Sequence, residues 1–182
     1  GKTPEEQLKI VPELYASGVN VLATRVQTQA GEKLMQAFPD AEFSGADVST
    51  ASNIPQSKGL KSSSAAANAI LSAAADAAGI SADPLELVRI GAKASIACGV
   101  SVTGAFDDAA ACMLGGLVFT DNKNMQLLEH RKMPEEYAAV IHLPDGEIPT
   151  LAFPKAEFAK RGAEVSAAFE TARAGDVFSA LY

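Results

Sequence analysis

The sequence, 182 residues long, predicts a fold of mixed helices and strands. Alanine-rich segments with capping residues ahead of them and glycines behind predict helices. Short apolar runs punctuated by Asp121-Asn122-Lys123-Asn124 and Pro144-Asp145-Gly146 predict strands. A hydrophobic share of 48% suffices for a buried core and excludes a disordered chain. Lys and Arg number 15 against 22 Asp and Glu, a net charge of −7 with no basic cluster. Phosphate neutralisation needs concentrated Lys and Arg, so no nucleic-acid partner is expected. No apolar run approaches the ~18 residues of a membrane span, and no secretory pattern opens the sequence. Two cysteines, Cys98 and Cys112, cannot build a disulfide scaffold and suit a reducing compartment. The expectation is a soluble, acidic, cytoplasmic protein of one domain or two small ones, with no membrane partner.

Along the chain, Thr3-Pro4-Glu5-Glu6 reads as a helix start, with Thr3 capping, Pro4 first and Glu6 reciprocating; Gly18 closes that helix. Gly1-Lys2-Thr3 also matches the tail of a GxxxxGK[ST] phosphate loop, but without its upstream glycine the capping reading is favoured. Val19 to Val26 resembles a strand, Lys33 to Phe38 a helical turn ended by Pro39, and Glu42 to Ser52 a strand approach into a turn. Ser62 to Ala78 is an alanine-rich helix with serines at its start and Gly79 at its end. Asp83 caps a second helix that begins at Pro84 and runs to about Cys98. Asp107 to Leu114 is a shorter helix ended by Gly115-Gly116. Leu117 to Thr120, Gln126 to Glu129 and Ala138 to His142 read as strands. Lys155 to Gly162 and Ala163 to Ala174 are helical, and Asp176 to Tyr182 begins another helix.

The chemistry concentrates between Ser52 and Asn68, where a turn containing Pro55 and Gly59 leads into the helix that opens with Ser62, Ser63 and Ser64. Gly59 permits a backbone conformation that turns successive N–H groups to one side. The helix start adds unpaired N–H groups and a positive dipole end, which together suit a polyphosphate. The three hydroxyls can bond phosphate oxygens or ligate Mg²⁺, and Lys58 and Lys61 can offset negative charge. The bland alternative is an ordinary capped helix with solvated serines.

Pro55-Gln56-Ser57-Lys58-Gly59-Leu60-Lys61-Ser62-Ser63-Ser64-Ala65-Ala66 resembles the second motif of the GHMP kinases, PxxxGLGSSAA. Lys61 stands in place of that motif's second glycine, and there is one additional serine. The fuller form SxIPxxxGLKSSSAAANA is similar to the archaeal-type shikimate kinases. Gly99-Val100-Ser101-Val102-Thr103-Gly104-Ala105-Phe106-Asp107-Asp108-Ala109 resembles the GVxVTGAFDDA signature of the same enzymes. The resemblance runs strongly from Asn53 to Thr120 and loosely, by element order, to Tyr182.

It implies an α+β fold in which a ribosomal-protein-S5-like half precedes part of a ferredoxin-like half. Residues 1–125 would form the ATP- and acceptor-binding domain, and residues 126–182 the start of a C-terminal domain. It implies ATP and Mg²⁺, with the nucleotide held by Pro55, Lys58, Gly59, Leu60, Lys61, Ser62, Ser63, Ser64 and Ala65, and the metal by Ser63 and Ser64. The implied reaction is phosphorylation of a small-molecule hydroxyl, most readily the 3-hydroxyl of shikimate on the way to aromatic amino acids. A homoserine- or mevalonate-type kinase is the alternative within the enzymes, and a non-catalytic sugar- or nucleotide-binding relative the alternative outside them.

Phosphoryl transfer to an alcohol calls for a carboxylate that orients the hydroxyl or accepts its proton. Asp107 and Asp108 are the candidates. Spacing to Gly115-Gly116 as in homoserine kinases favours Asp107, the stronger candidate, while spacing as in mevalonate kinases favours Asp108. Ser101, Thr103 and Gly104 flank the pair and would line the acceptor pocket; strand packing is the alternative for Ser101 and Thr103. Two departures stand out. The family's first motif is not recognisable in residues 1–52, and its third, a C-terminal Gly-rich loop, does not occur, so the chain is expected to be incomplete at both ends. Mevalonate-kinase-like members also place a Mg²⁺-binding Glu upstream of their Asp, whereas Ala94 to Cys98 contains no carboxylate. His130 and His142 read as surface or packing residues, Cys98 and Cys112 as small buried hydrophobes, and Arg89 and Lys93 as a solvated face.

Overall fold

A computed structural model gives the structure of the chain, and it describes residues 21–41, 48–55, 58–99, 101, 103–133, 135–136, 138–143, 145–146 and 160–175. Among them, in order, are α1 (Val21–Ala37), α2 (Ser62–Ala77), α3 (Pro84–Ala97), α4 (Phe106–Leu114), β1 (Leu117–Asp121), β2 (Gln126–Arg131) and α5 (Gly162–Arg173). This is an α+β arrangement: four helices in succession, a hairpin, and a further helix.

Helix α3 starts where its sequence directs. Asp83 accepts a hydrogen bond from the Leu85 N–H at 2.9 Å, and Pro84 occupies the first turn. Leu87, Ile90 and Ala94 of α3 pack with Ala30 and Leu34 of α1 and Ile70, Leu71 and Ala75 of α2. Val88 and Ala92 pack instead with Phe106, Ala109 and Ala110 of α4. Being apolar on both flanks, α3 is buried between neighbours and becomes the centre of the helical layer. Phe106, Leu34, Leu71 and Val88 are its largest fully buried side chains, each stabilising the fold by about 1.5–3 kcal/mol. Small residues set the spacing. A Cβ on Gly91 would stand 3.0 Å from Leu71 Cδ1, so the missing side chain at Gly91 makes room for Leu71 of α2.

The hairpin is antiparallel and pairs Leu117 with Arg131 and Asp121 with Gln126, with a register break between Phe119 and Thr120. Asp121 closes its turn by accepting from the Asn124 N–H at 3.1 Å. Phe119 packs edge-on against Phe169 of α5, with ring centres 6.0 Å apart, and Arg131 lies over Phe119. The expected division after residue 125 falls in the turn of this hairpin.

Most expected elements of the middle region form close to their expected bounds, and so does the helix from Ala163 to Ala174. Three differences have physical causes. The strand expected over Val19 to Val26 is, from Val21, the first part of α1. Ala30 and Leu34, one helical turn apart, are fully buried against α2 and α3, and that burial outweighs the local β preference of Val and Thr. The helical turn expected from Lys33 is the end of the same helix, which stops before Pro39. Ala138 to His142 forms no strand; Val140 is 95% exposed and the segment pairs with no strand among the described residues. Residues 48–52 of the expected Glu42 to Ser52 approach have no regular structure. The Thr3 helix and the phosphate-loop alternative at Gly1-Lys2-Thr3 lie outside the described residues, as do residues 155–159 and the helix from Asp176. No helix among the described residues is long and apolar enough to cross a membrane.

Candidate active site

The turn before α2 is left-handed at Gly59 (φ +75°) and again at Lys61 (φ +56°). Lys61 occupies the N-cap position of α2, with no side-chain cap. Its carbonyl accepts from the Ser64 and Ala65 N–H groups at 3.0 and 3.1 Å. Ser62, Ser63 and Ser64 are therefore the first helical residues rather than caps, and the Ser62 and Ser63 N–H groups have no acceptor within the helix. These N–H groups and the positive helix end lie at the mouth of the turn.

Holding a lysine in the left-handed region costs about 1–2 kcal/mol, a cost glycine escapes. The side chain is committed elsewhere: Lys61 Nζ stands 3.1 Å from Asp108 Oδ2, in the first turn of α4. With Lys61 60% and Asp108 22% exposed, such a pair returns at most about 1 kcal/mol. Stability therefore does not account for a lysine at this position.

Helix α4 begins in the same manner. Gly104 (φ +80°) and Ala105 (φ +50°) are left-handed, and Ala105 gives the helix no side-chain cap. The cap comes from the hairpin turn, where Asn122 Oδ1 accepts from the Asp107 N–H and the Thr120 hydroxyl, both at 3.0 Å. Asp107 is exposed and Asp108 half-buried. Burial lifts the Asp108 carboxyl above its ordinary value; Lys61 opposes that rise and the neighbouring Asp107 charge adds to it. A second link joins the helices: the buried Asn68 of α2 donates through Nδ2 to the Ala109 carbonyl at 2.8 Å. Its Oδ1 has no hydrogen-bond partner among the described residues. Lys61 and Asn68 thus hold the start of α4 against the start of α2.

The GHMP kinases N terminal domain matches residues 22–116, a span that contains both helix starts. The chain belongs to the GHMP kinases. It is 56% identical over 102 residues to a shikimate kinase of Methanocella arvoryzae, covering 56% of this chain and 34% of that protein. It is 44% identical over 123 residues to a shikimate kinase of Methanothrix thermoacetophila, covering 68% and 42%. A shikimate kinase of Pyrococcus furiosus is 38% identical over 148 residues, covering 81% and 54%. The chain thus spans about a third to a half of the length of these curated relatives. No solved structure matches it significantly.

The remaining candidate residues of this GHMP kinase chain divide by position. Leu60 and Ala65 are half-buried beside the turn, and Pro55 is exposed ahead of it. Lys58 donates to the carbonyls of Asp145 (3.1 Å) and Gly146 (2.9 Å), tying the turn to a segment distant in sequence. Thr103 Oγ1 accepts from the Ala105 N–H at 3.4 Å, and Ser101 is half-buried. Gly104 is buried, and a Cβ there would meet the Ala92 carbonyl at 2.9 Å, so close packing on α3 accounts for that glycine. Among the described residues no group of three His, Cys, Asp or Glu is placed to hold a metal ion. The Ser63 and Ser64 hydroxyls are hard oxygen donors of the kind Mg²⁺ accepts alongside phosphate oxygens, so they fit an ion that arrives with a nucleotide.

Two expectations need correction. Cys112 is exposed, lying on the flank of α4 beside the face that buries Phe106, Ala109 and Ala110; Cys98 is half-buried. Arg89 is half-buried and donates to the Met125 carbonyl at 3.1 Å, so it joins α3 to the hairpin turn instead of lying on a solvated face, where Lys93 does lie. His130 is exposed with Nε2 3.1 Å from the Gly115 carbonyl, and His142 is exposed. Sequence reasoning also gave no role to Asn122 or Asn68. Asn122 stood among turn residues that predict a turn whatever they touch. An amide within an alanine-rich helix, as Asn68 is, was the available signal.

Proposed function

We propose that this chain serves ATP-dependent phosphoryl transfer to a hydroxyl of a small molecule, with shikimate as the acceptor. One observation carries the reading: the left-handed turn that opens α2 is joined by Lys61 to Asp108, so a phosphate-binding helix start and a carboxylate lie side by side. The shikimate kinases of Methanocella, Methanothrix and Pyrococcus support the choice of acceptor.

In this reading the Ser62 and Ser63 N–H groups and the Ser62, Ser63 and Ser64 hydroxyls bind the β- and γ-phosphates at the helix start. Ser63 and Ser64 would hold Mg²⁺, which would supply positive charge to the phosphate oxygens. Asp108 Oδ2 bears Lys61, and Oδ1 takes the proton of the acceptor hydroxyl as its oxygen bonds to the γ-phosphorus. The bond from that phosphorus to the β–γ bridging oxygen breaks, releasing ADP. Asp108 stands ahead of Asp107, because it is half-buried beside the phosphate turn whereas Asp107 is exposed and its N–H is held by Asn122. Ser101, Thr103 and Gly104 border the acceptor side. Catalysis is mainly positioning and charge compensation. Residues 1–125 form the S5-like, nucleotide- and acceptor-binding part in the same proposal, and residues 126–182 begin the ferredoxin-like part.

Incubating the full-length protein with ATP and Mg²⁺ against shikimate, homoserine and mevalonate tests this. Phosphate transfer to shikimate in preference to the others is expected. Preferential transfer to another acceptor would overturn the substrate, and no transfer to any would overturn the activity.

A further inference from the structure

Lys61 combines three features that local structure does not require together. It is a non-glycine residue at φ +56°, it opens α2 without capping it, and its ammonium reaches 3.1 Å to Asp108 on another helix. The backbone beside Asp108 is independently fixed, since Asn68 holds the Ala109 carbonyl at 2.8 Å. The Asp107 N–H is held by Asn122 at 3.0 Å. What these contacts leave undetermined is the orientation of the Asp108 carboxylate itself.

We infer that Lys61 is a positioning residue that orients the Asp108 carboxylate from the phosphate turn, so that the acceptor carboxylate is aligned by the same backbone that receives the nucleotide. This rests on the reading of Asp108 given above. It assigns the Lys61 ammonium a task different from offsetting phosphate charge. A lysine that bound phosphate would contribute to nucleotide affinity; one that orients Asp108 contributes to turnover after both substrates are bound.

The deciding variant is Lys61→Gly in the full-length protein. Glycine suits the left-handed position, so the variant is expected to fold with an unchanged or raised melting temperature. Its kcat should fall by roughly 10- to 100-fold while the KM for ATP changes by less than about threefold. Lys61→Arg, which keeps the charge, should recover much of that loss. In the double variant Lys61→Gly with Asp108→Asn, turnover should be no lower than in Asp108→Asn, because both changes remove one function. A raised KM for ATP at unchanged kcat would overturn the positioning role and leave the Asp108 reading intact, as would losses that multiply in the double variant. Full turnover in Asp108→Asn would instead overturn the Asp108 reading, and the inference with it.

Discussion

Helices α2 and α3 pack side by side yet begin in opposite ways. At α3, Asp83 accepts from the Leu85 N–H, Pro84 follows, and every requirement of the helix start is met within the segment. At α2, a lysine stands in a left-handed conformation, the serines that look like caps are helical, and the lysine side chain goes to Asp108 on α4. The first arrangement stabilises its own helix. The second is locally unfavourable and leaves N–H groups and hydroxyls at a helix end, which is what an anionic ligand requires. One helix start thus serves its own stability, while the other leaves donors exposed at a cost to local stability.

The sharpest way to break that contrast is at Asp108. Asp108→Asn keeps the size of the side chain but removes its charge and proton acceptor, and turnover should fall by about 10²- to 10⁴-fold. Asp107→Asn, at an exposed position, should have the smaller effect. Equal and mild losses in steady-state turnover would show that the pair serves only the helix start.

Next in size are the hydroxyls of α2. Ser63→Ala or Ser64→Ala should raise the barrier by about 2–4 kcal/mol while leaving the melting temperature nearly unchanged. Normal turnover with a lowered melting temperature would make α2 a capped helix like α3.

The converse experiment lies at α3. Asp83→Ala removes a cap and should cost ~1 kcal/mol in denaturant-induced unfolding, with turnover preserved at a temperature where the protein stays folded. A loss of turnover without a loss of stability would tie α3 to the site and blur the contrast.

The smallest expected effect is the pH dependence of stability. Burial raises the folded-state affinity of Asp108 for its proton above that of the unfolded chain. Its favourable contribution is therefore present below the ordinary carboxylate value and is lost as pH rises through the raised one. Asp108→Asn should melt with the parent in acid and above it at neutral pH. A gap that narrows with rising pH would contradict the burial effect.

The sequence by itself determined the helices that carry their own caps and periodicity, the hairpin with its turn residues, and the two segments that resemble GHMP kinase motifs. Those features are local: Asp83 bonds two residues away, Gly59 adopts its conformation within the turn, and Asp121 closes on Asn124. Val21 to Val26 escaped that reading, because its helix is secured by Ala30 and Leu34 buried on distant segments, against its own β-leaning residues. Ala138 to His142 escaped it in the other direction, since a strand needs a partner and Val140 has none among the described residues. Within the candidate site, residue types and spacing brought out the serines and the aspartate pair, with Asp107 placed ahead of Asp108. Only the tertiary structure gives the two different surroundings, with Asp108 half-buried beside Lys61 and Asp107 exposed to solvent. The same holds for Asn68 and Asn122, whose partners lie 41 and 15 residues away. Contacts of that range depend on how α2, α4 and the hairpin pack, which no single segment encodes.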